Sequence, residues 1–215
     1  MMDVTMAKQR GRPLEKNRIN RADLMELAFQ EFSEKGFDGV SIRRLAARVG
    51  VSDSLFIHHF GSKRRLWNEV VDSLIDREFK HLIANLQPGD FKADPLSWLK
   101  SNFVEFLRLA PQRPAMFRML FNELNSDSER SQYLKRCYLV PYVALFDHAI
   151  DMCRERGLIK PVPNHALHTL LLGAVNILIQ PDILQQARSE DSPPIAPFTA
   201  EDLVDIIFNG VQIQK

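Results

Sequence analysis

Apolar residues along most of this chain recur at spacings of three and four. That spacing is typical of amphipathic helices, and no segment shows the strict alternation of apolar and polar residues expected of a half-exposed strand. The pattern therefore predicts an all-α protein. Near the amino end it predicts four helices: one from Asn20 to Gly36, one over 42–49, one that begins after Ser52, and one from Ser62 to Pro88-Gly89.

Small polar residues mark the starts of these helices, and glycines mark their ends. Asn20, Ser41 and Ser52 are of the residue types whose side chains accept hydrogen bonds from the free N–H groups of a first helical turn. Gly36 and Gly50 tolerate the left-handed backbone that ends many helices. We therefore expect the second and third helices to be short and to be joined by a tight turn at Gly50.

The rest of the chain predicts helices with broader apolar faces, at 95–109, 114–124, 128–156, 164–180 and 200–211. Pro141 should kink or split the third of these, because proline lacks an N–H and clashes with the preceding turn. The segment 189–197 is polar and rich in proline, which predicts a loop. The longest apolar run, 169–179, is too short to span a bilayer. With no export signal at the amino end, we expect a cytoplasmic protein without membrane partners.

Charge divides the chain into a basic amino-terminal part and a mildly acidic remainder. Residues 1–66 hold 13 of the 28 basic and 8 of the 27 acidic side chains, which gives that part a net charge of +5. A basic end on an acidic body indicates an anionic partner, either nucleic acid or a membrane surface. Charge alone does not choose between them.

Two short helices joined through Gly50 have the form of a helix-turn-helix. In that motif the second helix enters the major groove of DNA, and the first crosses the phosphate backbone. The spacing by itself is only moderately specific, because any two short helices joined at a glycine share it. The residues around the turn make the prediction sharper.

Those residues resemble the tetracycline-repressor (TetR) family of bacterial transcription regulators. The resemblance lies in Gly36-Phe37, in 41–46 (SIRRLA), in Gly50-Val51-Ser52 and in 55–63 (LFIHHFGSK). It implies an amino-terminal three-helix helix-turn-helix DNA-binding domain at 20–66, preceded by a basic flexible arm at 1–19. It also implies a helical carboxy-terminal domain at 67–215 that binds a small-molecule effector and forms a homodimer.

The resemblance implies that a defined set of side chains meets double-stranded DNA. The set is Ser41, Arg43, Arg44, Ser52, Asp53, Ser54, Ile57, His58, His59 and Lys63. Ser41 matches a phosphate contact and Arg43 a base-reading position, and an arginine there is able to fork onto guanine O6 and N7. His58, His59 and Lys63 match positions near the backbone.

Two residues of this set, Ile57 and Asp53, are unusual for a surface that meets DNA. The family usually has a tyrosine where this chain has Ile57, so either Ile57 contacts a thymine methyl group or the register at Phe56-Ile57 differs. Asp53 would repel phosphate, although a carboxylate there is also able to accept a hydrogen bond from cytosine N4.

The arm contains the sequence KQRGRP at 8–13, which resembles an AT-hook. Arg10 and Arg12 would lie in a narrow A·T minor groove, where the intervening glycine permits close approach. The alternative is a solvated basic tail. Beside a helix-turn-helix we favour the minor-groove arm.

Large apolar side chains are frequent in the body, and most such stripes belong to a core. A subset is expected to line an effector pocket: Phe103, Phe106, Phe117, Phe121, Tyr138, Tyr142 and Phe146. Walls of this kind favour a small apolar or aromatic effector. The last two helices, near 170–179 and 203–213, carry apolar faces and small residues. They are candidates for the dimer contact, with burial inside one subunit as the alternative.

The sequence offers no support for an enzyme. His165 and His168 share a helix face but have no third ligand at metal-site spacing, and no phosphate loop, zinc-protease motif or nucleophile elbow is present. We expect no metal and no cofactor. With only Cys137 and Cys153, a disulfide framework is excluded.

These observations predict a ligand-responsive transcription regulator, with repression favoured, that binds a palindromic operator as a dimer and is released by its effector. Two alternatives stay open. One is an architectural DNA-binding protein that prefers A·T sequence and has no effector. The other is a helical enzyme or binding protein that merely retains the DNA-binding head.

Overall fold

The computed structural model describes residues 20–86, 92–180, 183–186, 189 and 198–212. These ranges are helical, with one isolated bridge between Ile159 and Gln212, so the predicted all-α class is confirmed. The helices are α1 (Arg21–Gly39), α2 (Ile42–Arg48), α3 (Asp53–Phe60), α4 (Lys63–Val70), α5 (Asp76–Ala84), α6 (Pro95–Leu109), α7 (Pro114–Leu124), α8 (Glu129–Leu134), α9 (Val140–Glu155), α10 (Asn164–Leu178), α11 (Ile183–Gln186) and α12 (Ala200–Val211). We refer to α5–α12 as the body.

The first helix does not end at Gly36 as the sequence predicts. Gly36 has φ 65° and ψ 175°, but helical turns resume beyond it and end at Gly39. A positive φ strains any residue with a Cβ, so glycine is needed at this position even though the helix continues past it. Beyond this break, Phe37 stacks on Phe32 with ring centroids 6.0 Å apart.

The helix predicted at 128–156 is split in two, and the interruption lies beside Pro141. A π-helical turn, Lys135–Leu139, joins α8 to α9, and Pro141 occupies the first turn of α9. Proline lacks the N–H that an uninterrupted α-helix would need at this point, and a π-turn is one way to accommodate the interruption. A second π-turn, Val71–Ile75, joins α4 to α5 and was not predicted.

The other predicted helices agree closely with the structure. Those at 95–109, 114–124 and 200–211 have the observed bounds of α6, α7 and α12, whereas α10 ends two residues earlier than predicted and α11 was not predicted. The predicted stop at Pro88-Gly89 and residues 190–197 of the predicted loop lie outside the described residues. In the part of the chain that the structure describes, no helix is both long and apolar enough to cross a bilayer.

Buried residues of the amino-terminal helices and of the body belong to one hydrophobic core. Trp67 of α4 is 1% exposed and is the largest fully buried side chain near the amino-terminal helices. In the body, the ring of Phe103 lies 5.5 Å from that of Phe146 and 5.7 Å from that of Phe208. Phe208 thereby fixes α12 against α6, although the two helices are far apart in sequence.

Candidate nucleic-acid interface and apolar cavity

The third helix presents a mostly polar face because its two phenylalanines point inward. Phe56 and Phe60 are each 1% exposed, and their rings are 5.1 Å apart. Ser52 caps the helix by accepting a hydrogen bond from the backbone N–H of Leu55 at 3.2 Å, as the sequence predicts. The predicted DNA-contacting side chains on this helix are left exposed: Asp53, Ser54, Ile57, His58 and His59.

Ile57 is the unusual member of this exposed face. It is 53% exposed, although it is a large apolar residue on a helix of only eight residues. Burial would be expected to favour the opposite orientation, since an exposed isoleucine gains nothing from the hydrophobic effect. The exposure fits a residue that contacts a partner, and that role stays a prediction.

On α2, the two neighbouring arginines differ in their surroundings. Arg44 donates a hydrogen bond from its guanidinium group to the carbonyl oxygen of Gly39 at 3.1 Å. Arg43 is exposed on the same short helix. Ser41 caps α2 by accepting from the N–H of Arg44 at 3.5 Å. Arg44 is therefore partly held by the chain itself, whereas Arg43 is presented to solvent.

Lys63 packs against the end of α1. Its Nζ atom lies 4.5 Å from the centroid of the Phe37 ring and donates a hydrogen bond to the carbonyl oxygen of Asp38 at 3.2 Å. Burial of the ammonium group lowers the pKa of Lys63. A phosphate contact by Lys63 would compete with these interactions, so the predicted role of Lys63 stays a prediction.

The structure thus brings the predicted DNA-contacting residues of α2 and α3 into one capped pair of packed helices, with Lys63 at the start of α4. Arg10 and Arg12 lie outside the described residues. The contacts of these side chains with DNA stay predictions.

An apolar cavity lies in the body between α5, α6, α7, α10 and the segment from the end of α8, through the π-turn, to the start of α9. It encloses about 50 Å³ and is lined by Phe79, Leu82, Phe106, Met116, Phe117, Leu120, Phe121, Leu124, Leu134, Tyr138, Leu139, Tyr142 and Leu172. Five of the seven predicted pocket residues are in this lining. Phe103 and Phe146 are not in the lining: both are fully buried with their rings 5.5 Å apart, and the Phe103 ring also packs on Phe208.

Two further helices line the cavity with residues that the sequence did not predict for it. Phe79 and Leu82 come from α5, which continues the amino-terminal helices, and Leu172 comes from α10. Phe79 meets Tyr138 with ring centroids 5.0 Å apart. The apolar stripe of the fourth predicted helix contains Phe79 and Leu82, but the stripe does not indicate which apolar neighbours they meet.

A cation connects the body to the amino-terminal helices. The guanidinium carbon of Arg130, on α8, lies 3.8 Å from the centroid of the Phe37 ring and 6.0 Å from that of Trp67. Its Nε atom is 2.9 Å from Oε1 of Glu123 on α7. The side chains of Arg130 and Glu123 are 14% and 6% exposed. This is a largely desolvated ion pair stacked on two aromatic rings, and sequence reasoning did not identify it.

The described residues give little support for a metal site or a reactive thiol. No group of three His, Cys, Asp or Glu side chains among them is placed to hold a metal ion. Cys137 and Cys153 are both free. Burial raises the pKa of the Cys153 thiol to about 11, so it stays protonated at neutral pH and is a poor nucleophile.

A capped pair of short helices with an exposed polar face, attached to a helical body that encloses an apolar cavity, defines a helix-turn-helix DNA-binding protein. Residues 24–70 match the family of bacterial regulatory proteins described as the tetR family. Residues 24–70 therefore form an amino-terminal domain of the TetR-family type, and relatives of the chain are transcriptional regulators and repressors.

Curated relatives agree with this assignment. The chain is 33% identical over 143 residues to the transcriptional regulatory protein RaaS of Mycobacterium tuberculosis, a match that covers 65% of this chain and 59% of RaaS. It is 24% identical over 158 residues to the transcriptional repressor AcnR of Corynebacterium glutamicum, covering 71% of this chain and 76% of AcnR. The match to RaaS therefore spans less than two thirds of that relative.

Solved structures share the fold over nearly the whole chain. The ketosteroid transcriptional regulator KstR2 of Mycobacterium tuberculosis superposes with a TM-score of 0.62 at 18% identity, covering 92% of this chain and 98% of KstR2. HlyIIR, a hemolysin II transcriptional regulator, gives a TM-score of 0.61 at 17% identity, covering 90% of this chain and 97% of HlyIIR. At these sequence identities the similarity shows a shared fold only.

Proposed function

We propose that this chain is a homodimeric repressor that binds a palindromic operator on double-stranded DNA and is released by a small apolar or aromatic effector. The observation that carries the proposal is the coincidence of the TetR-family match at 24–70 with α1–α4. In this region α2 and α3 are short, capped by serine and exposed on their polar faces. A dimer with two such heads reads a symmetric site.

Each part of the chain has its own proposed function. Residues 20–66 form the DNA-binding domain and 67–215 the effector-binding and dimerisation domain, with the basic arm at 1–19. α4 crosses the boundary, and the ring of its buried Trp67 lies 6.0 Å from the guanidinium carbon of Arg130 on α8. An effector that favours one arrangement of the body over another would change the separation of the two heads. The loss of DNA-binding free energy would be at most the difference in effector-binding free energy between the two arrangements.

The apolar cavity supports the proposed effector. Its wall is made of aromatic, leucine and methionine side chains, which suit an apolar molecule. Its volume of about 50 Å³ is well below the roughly 300–1,000 Å³ of pockets that hold ordinary small-molecule ligands. Effector binding therefore requires the wall to move. KstR2, which shares the fold, is described as a ketosteroid transcriptional regulator.

The proposed dimer contact uses α10 and α12, which both pack on α6. Leu170 on α10 is 51% exposed, and Ile206 on α12 is 71% exposed. An added Cβ at Gly173 or Gly210 would meet nothing within 4 Å, so another helix has room to approach these positions. Exposed leucine and isoleucine beside small residues favour close helix-to-helix packing between two copies.

Replacing Arg43 with alanine tests the proposed base-reading role. We expect operator binding to weaken by about 1–3 kcal/mol and base preference to relax at one position. Selection from a randomised DNA library, followed by titration at fixed salt, measures both effects. Arg65→Ala, which removes an exposed charge on α4, is the matched control and should leave base preference unchanged. Equal weakening on all sequences would instead make Arg43 a phosphate contact.

Removing residues 1–13 tests the arm. We expect the truncated protein to lose more affinity for operators flanked by A·T pairs than for operators flanked by G·C pairs, because an Arg-Gly-Arg strip fits a narrow minor groove. Titrations on the two operators at one salt concentration measure the difference. An equal loss on both operators would reduce the arm to a general charge effect and would remove the minor-groove role.

A further inference from the structure

The cavity wall contains no charged side chain, and its polar atoms are scarce. Among its lining residues only Tyr138 and Tyr142 carry a polar side-chain atom. An apolar wall of this kind stays dry and gives no counter-charge to a buried ion. The two tyrosines therefore decide which polar group, if any, a bound molecule is able to carry.

The hydroxyl of Tyr142 is buried without a hydrogen bond. Tyr142 is 4% exposed, and no atom of the described residues pairs with its hydroxyl. The ring is held firmly, since its centroid lies 5.0 Å from that of Phe106 and 4.7 Å from that of Phe146. Burial raises the pKa of Tyr142, so the hydroxyl keeps its proton. An unpaired buried hydroxyl costs free energy, and a ligand that pairs with it recovers that cost.

A second unpaired atom lies in the neighbouring ring. The ring of His168, on α10, is 6.1 Å from that of Tyr142. His168 Nε2 is 2.9 Å from Oδ1 of Asp147, whereas Nδ1 is buried with no partner in the described part of the chain. When Nε2–H donates to Asp147, Nδ1 of the neutral ring is an acceptor. Leu172 lies one helical turn further along α10 and lines the cavity. The unpaired atoms of His168 and Tyr142 therefore lie next to the apolar wall.

We propose that the effector is an uncharged, largely apolar molecule with one hydroxyl or carbonyl group, and that the hydroxyl of Tyr142 hydrogen-bonds to that group. This inference rests on the proposed effector-binding function and specifies its ligand class. A carboxylate is excluded from the class because the wall offers no cation, and His168 is already paired with Asp147. A pure hydrocarbon would leave the Tyr142 hydroxyl unpaired.

Matched sets of simple aromatic probes test the proposal on the purified full chain without DNA. One set is phenol, benzene and benzoate, and the other is 2-naphthol, naphthalene and 2-naphthoate. Calorimetric titration gives the affinities of the hydroxyl compounds and carboxylates. The affinities of the hydrocarbons are measured by their displacement of a bound hydroxyl compound. We expect a hydroxyl compound of at least one set to bind about tenfold more tightly than its hydrocarbon, and we expect no saturable binding of the carboxylates.

Tyr142→Phe should abolish the preference for hydroxyl over hydrocarbon, whereas Tyr133→Phe should preserve it. Tyr133 is the matched control because its hydroxyl donates to Oδ1 of Asp72 at 2.6 Å, outside the cavity. Without ligand, Tyr142→Phe should melt at the same temperature as the unmodified chain or higher, since it removes an unpaired buried polar atom. A structural role for the hydroxyl would lower that temperature.

Three results would overturn the proposal: equal affinity for hydroxyl and hydrocarbon probes, saturable binding of a carboxylate, or a hydroxyl preference that persists in Tyr142→Phe. Failure of every hydroxyl probe to bind would overturn it as well. Operator binding, measured separately on the same preparation, distinguishes these outcomes from failure of the proposed regulator itself. A chain that binds an operator but not the hydroxyl probes contradicts the ligand class alone.

Discussion

Replacing Ile206 with aspartate is expected to convert the dimer into monomers and to lower operator affinity about a hundredfold or more, since two-headed binding gains a factor of about 100 to 10,000 over a single head. Ile206 is 71% exposed on α12. In the proposed dimer this side chain is covered by the partner subunit. A carboxylate at the centre of such a contact would be buried without a counter-charge.

Light scattering during size-exclusion chromatography checks the mass against the chain mass of 24.7 kDa. Unmodified protein should give twice this mass, and Ile206→Asp should give the single value with unchanged helical content. Val140→Asp is the matched control, because Val140 is 60% exposed on α9 but lies outside the proposed contact. A dimeric Ile206→Asp protein, or a monomeric Val140→Asp protein, would rule out the α10–α12 contact.

Replacing Arg130 with alanine is expected to reduce the free energy of unfolding by about 3 kcal/mol, at the lower end of the cost of breaking a buried ion pair. The substitution leaves Glu123 buried beside two serines, of which Ser128 donates to its Oε1 at 2.7 Å. It also removes the cation stacked on Phe37 at 3.8 Å. Such stacking contributes about 0.5–2 kcal/mol in other proteins, depending on desolvation.

Urea denaturation followed by circular dichroism measures this loss, and hydrogen exchange locates it. We expect faster exchange at the end of α1, where Phe37 would lose its partner. Glu129→Ala is the matched control: Glu129 is the adjacent residue, and its ion pair with Arg64 at 3.0 Å leaves it 82% exposed. Exposed pairs contribute about 0–1 kcal/mol. Equal effects of the two substitutions would show that the Arg130 stack does not hold the amino-terminal helices to the body.

Local chemistry made the DNA-binding head predictable from sequence. Ser41 and Ser52 cap α2 and α3 as predicted, because an N-cap depends only on residues within one turn. The same locality gave the exact bounds of α6 and α7, each of which begins with a proline after a polar or turn residue. The candidate contacts on these helices follow from family resemblance, and the structure adds which of them are exposed.

Features that depend on distant contacts were not predictable in the same way. Phe103 and Phe146 have the same residue type as the cavity residue Phe117, but tertiary packing places them against each other, and Phe103 also against Phe208 of α12. Arg130 contacts Phe37 and Trp67, which are both far from it in sequence. The π-turn at Val71–Ile75 has no proline to signal it. Each is decided by tertiary packing, which the periodicity of a single helix does not contain.

The most direct test of the account is to incubate the purified chain with fragmented DNA from the genome that encodes it, at about 0.15 M salt, and to sequence the retained fragments. An operator-binding dimer predicts enrichment of one or a few inverted repeats, with Arg43→Ala showing relaxed preference at one position of each half-site. Retention of diffuse A·T-rich DNA, or of no DNA, would contradict the account. Diffuse retention would favour an architectural DNA-binding protein, and no retention would favour a function confined to the body.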